Sequence, residues 1–271
     1  MKNIIMRIFS LRTILFLVLV AGLLPSANAR ECKALSATGN SEYPPYLWRA
    51  NTQSNRLGGA IKDIMDELGT RLNRKIELKH VGSWSRAQLE VKEGRVDLIA
   101  GAFYTVPRNQ WMDYVYPAFL TTRSVVWKNV SKELAYQGRS DLVGKLGVTV
   151  INNSFGQSFD EYSKKYLSLE YVASLEQAFK MLALDRVDYV LYEKNPGLAY
   201  ASKLGLSHQV SELTPAISSE GLYLTISHNS KCNTGKLRGE LAKHLRAMND
   251  EGYTQKALQK SQKLWDEFSS H

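Results

Sequence analysis

Apolar positions along this chain switch between a two-residue and a 3.6-residue period, and the switching outlines the elements. Ala34–Thr38 reads as a strand, and residues 39–46 form a loop holding Pro44 and Pro45. From about Gly59, Ile61, Ile64, Met65, Leu68 and Leu72 fall on one face at helical spacing. Residues 75–81 alternate as a second strand, 84–93 predict a helix, and 96–100 a third strand. This order implies a parallel sheet, since parallel neighbours need a crossover and a helix is the usual one.

The second half repeats the pattern. Residues 147–151 predict a strand, 158–166 a helix, 169–172 a strand, 175–184 a helix and 187–192 a strand. Gly94-Arg95-Val96-Asp97-Leu98-Ile99 is echoed 91 residues later by Asp185-Arg186-Val187-Asp188-Tyr189-Val190. Each copy closes an amphipathic helix and opens an apolar strand, so two similar α/β lobes are expected. Residues 222–226 turn apolar again. Two helices follow, one marked by Leu237, Leu241, Leu245 and Met248, the other by Leu258, Leu264, Trp265 and Phe268, with a break over 249–252.

The N-terminus stands apart. Lys2, Arg7 and Arg12 precede an 11-residue apolar run over 14–24, then Pro25 and the small residues Ala27-Asn28-Ala29. That is the form of a secretory signal peptide cleaved after Ala29. The run falls short of the ~20 residues a membrane span needs. Removing residues 1–29 leaves 242 of 271 and takes the formal charge from +9 to +6. The remainder is spread along the chain as a solvated surface, and no nucleic-acid-binding signature accompanies it. Hydrophobic content of 44% and charged content of 23% are those of a globular chain.

Two cysteines remain, Cys32 and Cys232. In an oxidising compartment they are expected to form a disulfide, against the alternative of two free buried thiols. The bridge would bring the C-terminal helices back to the first lobe and leave the second lobe as an insertion. The expected boundaries are 30–121 with 222–271 for lobe one and 122–221 for lobe two. The crossing strands fall near 120–126 and 220–226 and form a hinge. The five His are isolated and none has zinc spacing; no metal site and no cofactor are expected.

Several short segments then matter together: Asn40-Ser41-Glu42-Tyr43-Pro44-Pro45-Tyr46, Gly94-Arg95-Val96-Asp97, Thr105-Val106-Pro107-Arg108, Tyr116-Pro117 and Gly252-Tyr253. With two α/β lobes behind an export leader, they make the mature chain resemble the periplasmic solute-binding proteins of amino-acid ABC transporters, the extracellular solute-binding proteins of family 3. The resemblance implies a type II fold, each lobe a mostly parallel sheet flanked by helices, joined by a two-strand hinge that closes on a ligand. It implies that Arg108 clamps a ligand carboxylate, which suits the planar two-donor fork of a guanidinium. Glu193, five residues after Asp188, stands where the family usually has Asp for the ligand ammonium. Tyr43 and Trp84 form aromatic walls of the cleft, and Arg86 and Tyr104 face it.

Ser154 with Gln157 reads as a capping box opening a helix whose free N–H groups would favour a carboxylate. Asn152 stands where Gly is common in the family. Ala102 and Phe103 replace hydroxyl residues, which makes the first-lobe wall less polar. The resemblance implies a monomeric periplasmic receptor that binds an amino acid or related small polar solute and presents it to a membrane permease. No catalysis is expected. Two alternatives remain on the same scaffold: a dehydratase acting on prephenate or arogenate, with Glu193 as general acid, and a sensing module for a membrane receptor.

Overall fold

The structure, a computed structural model, describes residues 32–49 and 55–269. The leader, its cleavage point and Arg30 lie outside the described residues. The chain opens with β1 (Ala34–Thr38), then three short strands, β2 (Glu42–Tyr43), β3 (Leu47–Arg49) and β4 (Leu57–Gly58). Helix α1 (Ala60–Arg71) buries Ile61, Ile64, Met65 and Leu68, the face the periodicity marks. Then come β5 (Lys75–Leu78), α2 (Trp84–Lys92), β6 (Leu98–Ala102) and the single turn α3 (Val106–Asn109). β1 lies between β5 and β6, parallel to both. Ser83 caps α2 and Thr105 caps α3, each accepting from the N–H three residues on.

The second trio is built the same way. β8 (Leu146–Val150) lies between β9 (Ser168–Val172) and β10 (Tyr189–Glu193), all parallel, with α4 (Gln157–Tyr166) and α5 (Leu175–Ala183) as crossovers. Two antiparallel 18-residue strands, β7 (Met112–Asn129) and β11 (Val210–Ser227), run between the trios. One sheet results, in the order β5-β1-β6-β11-β7-β10-β8-β9. The two halves mirror each other about β11 and β7, so the sequence repeat is a repeat of topology. The expected crossing segments are the middle stretches of these two strands: Leu120 pairs with Leu222 and Thr122 with Glu220. Register shifts interrupt the ladder between Leu213 and Ser218 and between Leu222 and Leu224.

The repeated Arg-Val-Asp has a structural cause. Gly94 (φ 71°) and Asp185 (φ 55°) both take the left-handed conformation that ends a helix. Asp97 then accepts from Ser36 N (2.8 Å) and Ser36 Oγ (2.7 Å), while Asp188 accepts from Leu146 N (2.7 Å). Each aspartate thus pins the neighbouring central strand of its trio.

Helix α6 (Lys194–Lys203) follows Glu193 directly, and α7 (Gly235–Asp250) and α8 (Tyr253–Ser269) complete the chain. α7 buries Leu237, Leu241, Leu245 and Met248, again the face read from spacing. α8 packs on α1, with Lys260 paired to Asp63 at 2.8 Å, and Trp265 meets Trp48 edge to face at 5.4 Å. Cys32 and Cys232 are disulfide-bonded and no free cysteine occurs among the described residues.

Three local expectations are corrected. The loop over 39–46 carries β2 and a tight hairpin into β3, with Tyr46 N bonded to Tyr43 O at 2.8 Å. The third strand starts at Leu98, because residues 94–97 form the turn. The capping box at Ser154 does not form: α4 starts at Gln157, with Gly156 at its cap and no side-chain cap bond. Ser154 Oγ donates to Asp160 Oδ2 at 2.5 Å, and Gln157 Oε1 accepts from Val106 N at 2.9 Å, in the other half of the sheet.

Candidate functional site

A small cavity lies where β6, α2, the loop after β8 and the end of β10 converge. Asn40, Tyr43, Trp84, Gly101 and Phe103 line it with Arg108, Asn153, Glu193 and Leu222. It sits beyond the carboxyl ends of β1, β6, β8 and β10, where open α/β sheets collect ligands.

Arg108 is 7% exposed and held from three sides. Its backbone N–H is fixed by Thr105 Oγ1 (3.3 Å). Nη1 donates to Phe103 O (3.2 Å), and Nη2 donates to Asn152 O (3.1 Å) from the second half. The guanidinium lies 5.5 Å from the centre of the Trp84 ring, within cation–π range. Burial lowers its pKa, with Tyr114, Asp160 and Glu193 countering that fall. Two of five N–H donors are committed to carbonyls, and a guanidinium keeps its charge under such a shift.

Glu193 ends β10, opposite Ser124 of β7, and is 2% exposed. Burial pushes its carboxyl up to about 7. Its own N–H, the Asn153 amide, the Tyr43 phenol and Arg108 draw it part of the way back. The amide and phenol lie beside the carboxyl without reaching hydrogen-bonding geometry. Glu193 Oε2, Tyr43 OH and Asn153 Nδ2 are all buried without a partner. Such groups are costly in an interior and call for partners. One acceptor and two potential donors thus surround one cavity that also holds a buried cation.

Tyr43 is fixed by stacking on Tyr46 (4.9 Å) and by an edge contact to Tyr192 (6.3 Å). Burial, and then the nearby Glu193, raise its pKa well above the usual phenol value, so it keeps its proton. Asn40 Nδ2 donates to Tyr192 OH (3.3 Å), and Asn195 Nδ2 to Tyr46 OH (3.0 Å). Trp84 anchors the far wall by donating Nε1 to Asn152 O (3.1 Å).

Four of the nine residues singled out from sequence line this cavity: Arg108, Glu193, Tyr43 and Trp84. Asn152 contributes its carbonyl to the wall's hydrogen bonding, while the neighbouring Asn153 is the lining residue. Ser154 is buried but turned to Asp160 and to Gly156 N (3.2 Å). Arg86 lies 55% exposed in its side chain and pairs with Glu90 at 2.6 Å. Tyr104 is 37% exposed and packs on Tyr114 at 5.0 Å. Ala102 lies in the apolar cluster with Trp84, Ala87 and Ile99, and its neighbours Gly101 and Phe103 are the lining residues. Asn40, Asn153 and Leu222 carry no individual sequence signal, although Asn40 opens the Asn40–Tyr46 segment and Asn153 adjoins Asn152.

Among the described residues, no group of His, Cys, Asp and Glu is placed to hold a metal, and no helix is long and apolar enough to cross a membrane.

An α/β sheet of two mirrored halves, joined by two long strands around a polar cavity, defines a solute-binding architecture. The chain belongs to the bacterial extracellular solute-binding proteins, family 3, whose model matches residues 35–262. Solved structures agree on the fold. An ancestral arginine-binding protein bound to arginine superposes with a TM-score of 0.71 at 19% identity, covering 85% of this chain and 99% of that one. An amino acid ABC transporter substrate-binding protein, AbpA, from Streptococcus pneumoniae bound to L-arginine gives 0.70 at 17% identity, covering 86% and 96%. A histidine kinase sensor domain with similarity to periplasmic binding proteins gives 0.70 at 19% identity, covering 84% and 95%. No curated protein sequence matches the chain.

Proposed function

We propose that the protein is a periplasmic receptor that binds an amino acid or a related small zwitterion in this cavity and presents it to an ABC permease. The observation that carries the reading is the cavity's charge pattern: buried Arg108 and Glu193 on one small space, with unpartnered Tyr43 OH, Asn153 Nδ2 and Glu193 Oε2. In this reading Arg108 takes the carboxylate with its uncommitted N–H donors and Glu193 takes the ammonium. Trp84 and Phe103 enclose the remainder. The lobes are 30–121 with 222–271 and 122–221, and ligand contact with both favours their closed arrangement. The leader directs export and is removed after Ala29. The protein acts as a monomer without catalysis.

Native mass spectrometry of protein purified without refolding tests this. A bound amino-acid-sized mass, lost in Arg108→Ala, is expected. No bound mass, together with no thermal shift across an amino-acid panel, would sink the reading. Conversion of prephenate to phenylpyruvate would replace it with the dehydratase function, for which a carboxyl titrating near neutrality would be suited.

A sensing role is the second reading, favoured by the fold shared with a histidine kinase sensor domain. Co-purification with a membrane kinase rather than with a permease would select it.

A further inference from the structure

The two halves of the sheet are also joined by hydrogen bonds that bypass the cavity's unpartnered groups. After β8 the chain turns left-handed at Asn152 (φ 60°), a conformation asparagine tolerates better than most residues. The turn accompanies two successive carbonyls bonded to donors from the first half. Asn152 O accepts from Trp84 Nε1, Gln88 Nε2 and Arg108 Nη2, all at 3.1 Å. Ile151 O accepts from Ser85 Oγ at 3.3 Å. Three of these four donors sit on α2 at positions 84, 85 and 88, neighbours on one helical face. Gln157 Oε1 adds a fifth bond across, to Val106 N.

We infer that Ser85 and Gln88, which do not line the cavity, are positioning residues of a clasp that holds the two halves together before any solute arrives. The clasp fixes the loop at Ile151 and Asn152 against α2, and so sets Asn153 beside Glu193. Its purpose rests on the receptor function proposed above; the contacts themselves do not. A hinge protein whose closure depends on ligand alone is open when empty, whereas this one is biased to its closed form. The bias raises the binding-competent fraction and hence the apparent affinity.

Small-angle X-ray scattering on protein stripped of solute by unfolding and refolding, with the disulfide kept intact, decides this. The expected radius of gyration for the wild type is about 18 Å, the value of a compact chain of about 240 residues. Ser85→Ala/Gln88→Ala should expand measurably, while Ser85→Thr, which keeps the hydroxyl, should stay compact. Unfolding midpoints of all three, measured alongside, separate opening from unfolding. A stripped wild type that is already expanded would overturn the inference, as would a double variant as compact as the wild type. No solute enters these measurements, so failure of the receptor reading leaves their outcome unchanged.

Discussion

Glu193 is held where it is least comfortable. Its carboxyl ionises near 4.5 when solvated and near 7 in the folded protein, chiefly through burial. The sign follows from linkage. Below pH 4.5 folded and unfolded chains both carry the proton and the group makes no difference. Between 4.5 and 7 the unfolded chain ionises and the folded one does not, so stability falls as pH rises. Above 7 the full cost is present, on the order of 3 kcal/mol. Glu193→Gln should therefore raise the urea midpoint of solute-free protein at pH 8 and leave it nearly unchanged at pH 4. The same variant should bind solute poorly. In the wild type, affinity for a cationic group should fall about tenfold for each pH unit below 7, measured by calorimetry.

Arg108 is also a charge disfavoured by burial, but two carbonyls accept from its guanidinium, which keeps its charge. Arg108→Ala would leave the Phe103 carbonyl with its Tyr114 partner and take one of three donors from Asn152 O. The fold should survive, and solute affinity should drop by about 3 kcal/mol, roughly a hundredfold. Arg108→Lys should restore little of it, because an ammonium lacks the planar fork. Both residues were legible in the sequence through motif and strand end. Asn40, Asn153 and Leu222 were not, since what brings them to the cavity is the register of distant strands and no periodicity encodes that. Arg86 and Tyr104 do not line the cavity, because proximity in sequence to lining residues does not fix the direction of a side chain.

At the scale of elements, the chain's long periodic helices were the readable part. α1 and α7 bury the faces their spacing marked, because four or five apolar side chains at one helical period leave no other face to bury. Elements without a period escaped. β2, β3 and β4 are two or three residues long, too short to show alternation. α6 contains Pro196 and Gly197, a pair commoner in turns than in helices. Proline is tolerated there because the N–H groups of a first helical turn have no intrahelical partner. Gly197 is there because a Cβ would stand 2.2 Å from Trp127 Cζ2. The Arg-Val-Asp echo was visible as a repeat, but its role needed the strands placed side by side. The two aspartates are not equal. Asp97 holds three partners, Ser36 N, Ser36 Oγ and Ser230 Oγ, and is half-buried; Asp188 holds Leu146 N and is exposed. Asp97→Ala should cost about 2–3 kcal/mol and Asp188→Ala about 1, as shifts in urea midpoint at constant slope. Equal losses would mean that the two turns are interchangeable after all.

Across the whole molecule, connectivity asks for a constraint that no short-range element supplies. The chain leaves the first half of the sheet along β7 and returns along β11, so β1 and the C-terminal helices belong to the same half although most of the sequence lies between them. Backbone pairing of β11 with β6 and packing of α8 on α1 make that closure non-covalently. The disulfide of Cys32 and Cys232 makes it covalently, enclosing about 200 residues, for which the chain-entropy model gives on the order of 5 kcal/mol. That figure bounds the effect from above, because Cys32 precedes the first strand and a reduced chain would fray there first. Reduction, or Cys32→Ser/Cys232→Ser, should lower the thermal midpoint by as much as about 10–20 °C, at roughly 2–4 °C per kcal/mol for a chain of this size. Solute affinity at 25 °C should be unchanged, because neither cysteine lines the cavity and Arg108, Glu193 and the Asn152 loop are held by non-covalent contacts of their own. Calorimetric melting with and without reductant, paired with a binding isotherm, checks both halves. A midpoint that does not move would show that β1 and α8 already hold the ends, and a weakened isotherm would show that the bridge reaches the site through β1.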